Sequence, residues 1–149
     1  MLRYNCLCLF FLTSTVSYAD ELPSNLYQVI LGEPVMSIKS AKKTSMVGMY
    51  SIATTKGQLD PPLSRLLVKI DKKTKLIIQI LGEAELDKQE CKIAASHLMA
   101  KYKNSFGINF SIFSHQGDEF NVVEQKNVIF MIGCENKRNT ILRVTLARK

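Results

Sequence analysis

Between Leu66 and Leu146 the spacing of apolar residues switches from two to three-and-four and back to two, and this restricts the fold more than any other feature. Leu66, Val68 and Ile70 alternate with Arg65, Leu67 and Lys69; Asp71-Lys72-Lys73-Thr74 turns the chain; Leu76, Ile78 and Ile80 alternate with Lys75, Ile77 and Gln79. Successive side chains of a strand point to opposite faces, so this is a hairpin with one apolar and one mixed face. Cys91, Ala94, Ala95, Leu98 and Tyr102 then share one stripe of a helix. The helix is expected to follow Gly82, with Glu83, Glu85 and Asp87 crowding its start and Lys101 and Lys103 closing its end, as the helix dipole favours. Asp87-Lys88-Gln89-Glu90 also resembles a capping box, which would delay the first regular turn to Lys88.

Past Gly107 the period returns to two at Ile108, Phe110 and Ile112, at Val128, Phe130, Ile132 and Cys134, and at Leu142, Val144 and Leu146. Turns fall at His115–Asp118, before a short Phe120–Val123 run, and at Glu135–Asn139. Ile129 and Met131 make the second face of the Val128 strand apolar too, which marks it as central. Upstream, Leu26–Leu31 and Met46–Ala53 read as strands, Val35–Ser45 supports neither helix nor strand, and Pro61-Pro62 closes the region. The order predicts an α+β fold: an antiparallel sheet of about five or six strands with one main amphipathic helix packed on one face.

The N-terminus carries Arg3, an apolar run from Cys6 to Leu12 and small residues at Ser17 and Ala19, the three parts read by a signal peptidase. A membrane anchor needs about 20 unbroken apolar residues, and Thr13, Ser14, Thr15 and Ser17 interrupt this run. Residues 1–19 are therefore expected to be a signal peptide and 20–149 a single domain. Cleavage removes Arg3 and lowers the net charge from +7 to +6. It also leaves two cysteines, Cys91 and Cys134, which in an oxidising compartment pair most simply as a disulfide. The expected location is the bacterial periplasm or the extracellular space.

Several chemical patterns have simpler explanations. Ser40-Ala41-Lys42-Lys43 matches Ser-x-x-Lys, but the companion motifs and the larger fold of serine acyl-enzymes are missing. His97 and His115 lack the ligand spacing of a metal site, so no metal and no cofactor is expected. The carboxylates Glu83, Glu85, Asp87 and Glu90 are accounted for by helix-start chemistry. Asn109-Phe110-Ser111 is a sequon with meaning only in a eukaryotic secretory pathway.

Basic residues are more informative. Lys39, Lys42 and Lys43 lie in an acid-free stretch, Lys72, Lys73 and Lys75 share one turn, and Lys137, Arg138 and Arg143 belong to an acid-free C-terminal segment. Together they form a candidate patch for an acidic protein, an anionic membrane surface or a polysaccharide. Aromatic residues do not interleave with the lysines, so nucleic acid is not an expected partner. The expectation is an exported, non-catalytic binding protein, such as an inhibitor, an immunity factor or an accessory subunit of an envelope complex. Two alternatives stay open: a small secreted hydrolase using a Cys or His, and a carrier of a small apolar ligand between helix and sheet.

Overall fold

The computed structural model describes residues 22–136 and 138–149; the expected signal peptide and Lys137 lie outside them. The described chain is α+β, with an eight-stranded antiparallel sheet, a separate two-stranded pair and one long helix. Strands β1 (Asn25–Leu26) and β2 (Val29–Ile30) form the small pair. A 3-10 turn at Val35–Ser37 follows. The first meander comprises β3 (Ala41–Lys43), β4 (Met49–Ile52), β5 (Arg65–Ile70) and β6 (Ile77–Leu86). Helix α1 (Lys88–Phe106) leads to a second meander of β7 (Ser111–His115), β8 (Asp118–Gln125), β9 (Val128–Asn136) and β10 (Thr140–Arg148). The strand order is β3-β4-β5-β6-β10-β9-β8-β7, so the meanders join along β6 and β10 and leave β3 and β7 as edges.

Eight strands plus a pair exceed the five or six expected. The expected Leu26–Leu31 strand divides at Tyr27 and Gln28, both at positive φ. Strand β3 is three residues long and carries two exposed lysines at an edge, too short and too polar to show alternation. Strand β4 begins at Met49 because residues 44–48 form a turn. The largest correction concerns the helix start. Strand β6 continues through Gly82, Glu83 and Glu85 to Leu86, so these two glutamates are strand residues and do not serve the helix dipole. Their register against β10 determines this: Glu83 lies opposite Arg143. The helix begins at Lys88, where Asp87 accepts hydrogen bonds from the backbone N–H of Gln89 and Glu90, both 2.8 Å. At its far end Gly107 takes a left-handed conformation and its N–H reaches Lys103 O, a common C-terminal stop.

Cys91 in the first turn of α1 is bonded to Cys134 on β9, with Cα atoms 6.1 Å apart. Cys134 therefore faces the helix, and strand parity carries Ile132 and Phe130 with it. Register extends this apolar face: Leu142, Val144 and Leu146 pair with Cys134, Ile132 and Phe130, and in turn with Ala84, Gly82 and Ile80. Val68 and Leu66 continue it opposite Ile80 and Gly82. Helix residues Cys91, Ala95, Leu98 and Tyr102 are buried against this layer. Tyr102, Phe106 and Phe130 meet with ring centroids 5.0–6.0 Å apart. Tyr27 and Leu63 cover the part over β6: a methyl group on Gly82 would lie 2.7 Å from the Tyr27 ring and 3.0 Å from Leu63.

Candidate functional site

On the face turned away from the helix, register aligns one row of side chains across six strands: Arg65, Glu83, Arg143, Gly133, Phe120 and Phe113. Its first half is ionic. Glu83, 4% exposed, accepts from Arg143 Nε at 2.8 Å and pairs with Arg143 at 2.6 Å and Arg65 at 3.3 Å. Arg143 also binds Glu135. Charges alternate along the row, so each buried charge has an opposite neighbour and the burial penalty of an isolated ion is avoided. Its second half is aromatic. The Phe120 ring lies over Gly133, where a Cβ would come within 2.5 Å of it. A shallow cleft of about 220 Å³ runs beside this row, touching Phe113, His115, Met131, Arg143 and Thr145. Ligand pockets are more commonly about 300–1,000 Å³. Phe113 and Ile112 on edge strand β7 are both exposed.

A second polar group binds loop to helix. Tyr102 donates to Asp60 Oδ2 at 2.5 Å, and Lys101 pairs with the same carboxylate. Tyr102 has one hydroxyl proton and gives it to Asp60, so across the 2.8 Å contact Tyr27 is the donor to Tyr102. Burial is the first cause that raises both phenols well above their ordinary value, so both stay protonated and act as donors. This chain connects the N-terminal segment, the Asp60 loop and α1.

The basic residues divide between the two ends of the sheet. Turns 44–48 and 71–76 lie at one end, held together where Ile70 N donates to Gly48 O at 2.9 Å. Val35 N donates to Lys75 O at 3.4 Å, and Pro34 bridges Leu76, which brings the 3-10 turn to the same end. Lys43, Lys72 and Lys75 line one recess with Met46 and Val47. Lys73 is exposed on the same turn as Lys72, and Lys39 just beyond the 3-10 turn. Lys42 is exposed on β3 with parity opposite to Lys43. The only acid within 71–76, Asp71, accepts from Lys73 N, Thr74 N and Thr74 Oγ1 at 3.0, 2.7 and 3.0 Å. These bonds, the Thr74 backbone first, hold its carboxyl below the usual range, with a smaller effect from Lys75. None of Lys39, Lys43, Lys72, Lys73 and Lys75 forms an ion pair with a carboxylate of the described residues.

Arg138 lies at the opposite end of the sheet, because Thr140 pairs with Leu86 while the lysine turns adjoin Ile77. Those ten residues of β6 span about 30 Å at ~3.3 Å per residue. Arg143 stands mid-sheet in the ionic row. The nine proposed basic residues thus include one cluster of lysines and two arginines apart from it, with Lys137 outside the described residues.

Sequence reasoning missed the apolar residues among the lysines. Met46 and Val47, at the apex of the β3–β4 turn, are 56% and 77% exposed, and Met36 on the 3-10 turn is 83% exposed. Met46-Val47-Gly48, directly after Thr-Ser, was the available turn signal. His97 and His115 are exposed on α1 and β7, Ser40 donates to Ala53 O at 3.5 Å, and Asn109 is exposed before β7. Among the described residues no group of three or more His, Cys, Asp or Glu could hold a metal, and no helix is long and apolar enough to cross a membrane. Compared with family models, curated proteins and solved structures, the chain matches none of them.

Proposed function

We propose that this domain is an exported binding module that docks its lysine-rich end on an anionic envelope partner. The observation that carries the reading is the contrast between the two polar regions. In the mid-sheet row each arginine and glutamate has an opposite partner. At the sheet end, Lys43, Lys72, Lys73 and Lys75 form no ion pair with a carboxylate of the described residues, and Asp71, the acid of the 71–76 turn, is already engaged with its own turn. Clustered unneutralised charge of one sign raises the local concentration of an oppositely charged partner and accelerates its capture. The Cys91–Cys134 bond supports placement in an oxidising compartment, periplasmic or extracellular. That bond also counts against the hydrolase alternative in its cysteine form. Leu98, Tyr102 and Phe130 pack where the carrier alternative would need space between helix and sheet.

Retention on immobilised heparin, a soluble-polyanion mimic, tests the reading. The protein elutes at a salt concentration that Lys43→Glu/Lys72→Glu/Lys75→Glu lowers strongly and Arg138→Glu at the far end leaves nearly unchanged. Equal retention of the triple variant and the parent protein would overturn the proposal.

A further inference from the structure

The lysine-rich end also carries the two most exposed large apolar side chains of the described residues, Met36 and Val47. Exposed methionines and valines are ordinary when single. Here Met46 and Val47 occupy consecutive apex positions of one turn, and Lys43, Lys72 and Lys75 line the recess around them. The turn is built to hold that arrangement. Thr44 Oγ1 accepts from Met46 N at 3.2 Å and donates to Met49 O at 3.1 Å, Met49 N reaches Met46 O at 3.1 Å, and Gly48 supplies a φ of +76°. The apex is therefore ordered before it meets a partner, and little conformational freedom is lost on docking.

We infer that this end inserts Met46 and Val47 into the interface of an anionic lipid bilayer while the surrounding lysines contact lipid phosphates. This rests on the anionic-partner reading and names the partner class. A purely polar polyanion would satisfy the lysines but leave the apolar apex in water. A bilayer offers both a negative surface and, a few ångströms beneath it, an apolar layer, which is the order presented by this turn. Lys72, Lys73 and Lys75 on the neighbouring turn are placed to remain at headgroup level, and long lysine stems reach there without burying the charge. Met36 on the adjoining 3-10 turn is a further apolar contact.

Flotation of the purified protein with vesicles tests this, using phosphatidylcholine alone or about three parts phosphatidylcholine to one part phosphatidylglycerol. Binding is expected to the mixed vesicles only. Lys72→Glu/Lys75→Glu should weaken it by about 30-fold or more, since each basic residue near such a surface contributes about fivefold. Met46→Ser/Val47→Ser should weaken vesicle binding by about tenfold while heparin retention is unchanged. The chain contains no tryptophan, so Val47→Trp introduces a single emitter. Its fluorescence should shift to the blue and be quenched by lipids brominated along the acyl chain. Heparin binding without vesicle binding would overturn the bilayer and leave the anionic-partner reading standing. Vesicle binding that is indifferent to Met46→Ser/Val47→Ser, or indole emission from the Val47→Trp variant that brominated lipid does not quench, would overturn insertion. Failure of the parent protein to bind either heparin or vesicles would remove both.

Discussion

Removing the carboxylate of Glu83 should destabilise the fold more than removing any exposed charge, and the geometry sets the scale. The side chain is almost fully buried on β6 and contacts two arginines, one half-buried and one 53% exposed. Glu83→Ala leaves Arg143 paired with Glu135 and beside an empty volume. Breaking a buried pair from one side costs about 3–5 kcal/mol when the charge left behind is uncompensated. Because Glu135 still pairs with Arg143, itself 27% exposed, Glu83→Ala should cost about 2–3 kcal/mol. Arg65→Ala removes an exposed partner and should cost under about 1 kcal/mol. Arg143→Ala removes the cation that Glu83 shares with Glu135, leaves Glu83 with the exposed Arg65, and should resemble Glu83→Ala. The two losses remove the same interaction, so the double variant should be distinctly more stable than their sum predicts. Glu83→Gln keeps the shape and part of the hydrogen bonding, and should fall between the alanine variant and the parent. Urea unfolding, with the disulfide intact, reads these differences through the midpoint at constant m value. In thermal unfolding about 4 °C accompanies each kcal/mol for a domain of this size. A loss below about 1 kcal/mol for Glu83→Ala, or strict additivity with Arg143→Ala, would refute the claim that the mid-sheet row is a coupled buried network.

Three further outcomes follow from the packing. Reducing the Cys91–Cys134 bond, or replacing both residues by alanine, frees a 43-residue separation and should cost about 4 kcal/mol in the chain-entropy estimate, measured by urea midpoint with and without reductant. Gly82→Ala should cost about 1–3 kcal/mol by forcing Tyr27 and Leu63 off the sheet, and limited proteolysis should then cut the N-terminal segment faster. Asp87→Ala should lower the melting midpoint at neutral pH by removing the cap of α1. The Asp87 carboxyl is held below its ordinary value, chiefly by the Glu90 N–H. Its contribution is therefore full above about pH 4 and is lost as the pH falls through the lowered folded-state value, so the gap between variant and parent should close in acid.

Local pattern alone was enough to establish the α+β class, the buried stripe of α1 and the buried faces of β9 and β10, because periods of two and three-and-four are properties of neighbouring residues. At the start of β6 a register shift opposite Lys69 and Ile70 buries Ile77 in place of Leu76 and Ile78. The same patterns put Cys91 and Cys134 on facing surfaces, and their bond follows from that placement. Glu83 could not be assigned from its surroundings in sequence: a cluster of acids before a helix has the same composition whether it caps the helix or ends a strand. Pairing with Arg143, sixty residues away, decides the matter. The strand count was missed where β3 is too short to alternate and where β1 and β2 turn through two residues at positive φ.

The candidate surface divides in the same way. Each basic segment is visible along the chain, but nothing in its spacing distinguishes lysines that meet from arginines that do not. Antiparallel pairing within the first meander puts turns 44–48 and 71–76 at the same end, and the junction of the two meanders along β6 and β10 places Arg138 at the other end and Arg143 within the sheet. Composition thus determined that the protein is basic. Only antiparallel register, a set of contacts between residues distant in sequence, determined which of those charges are neutralised inside the fold and which surround an apolar apex in water.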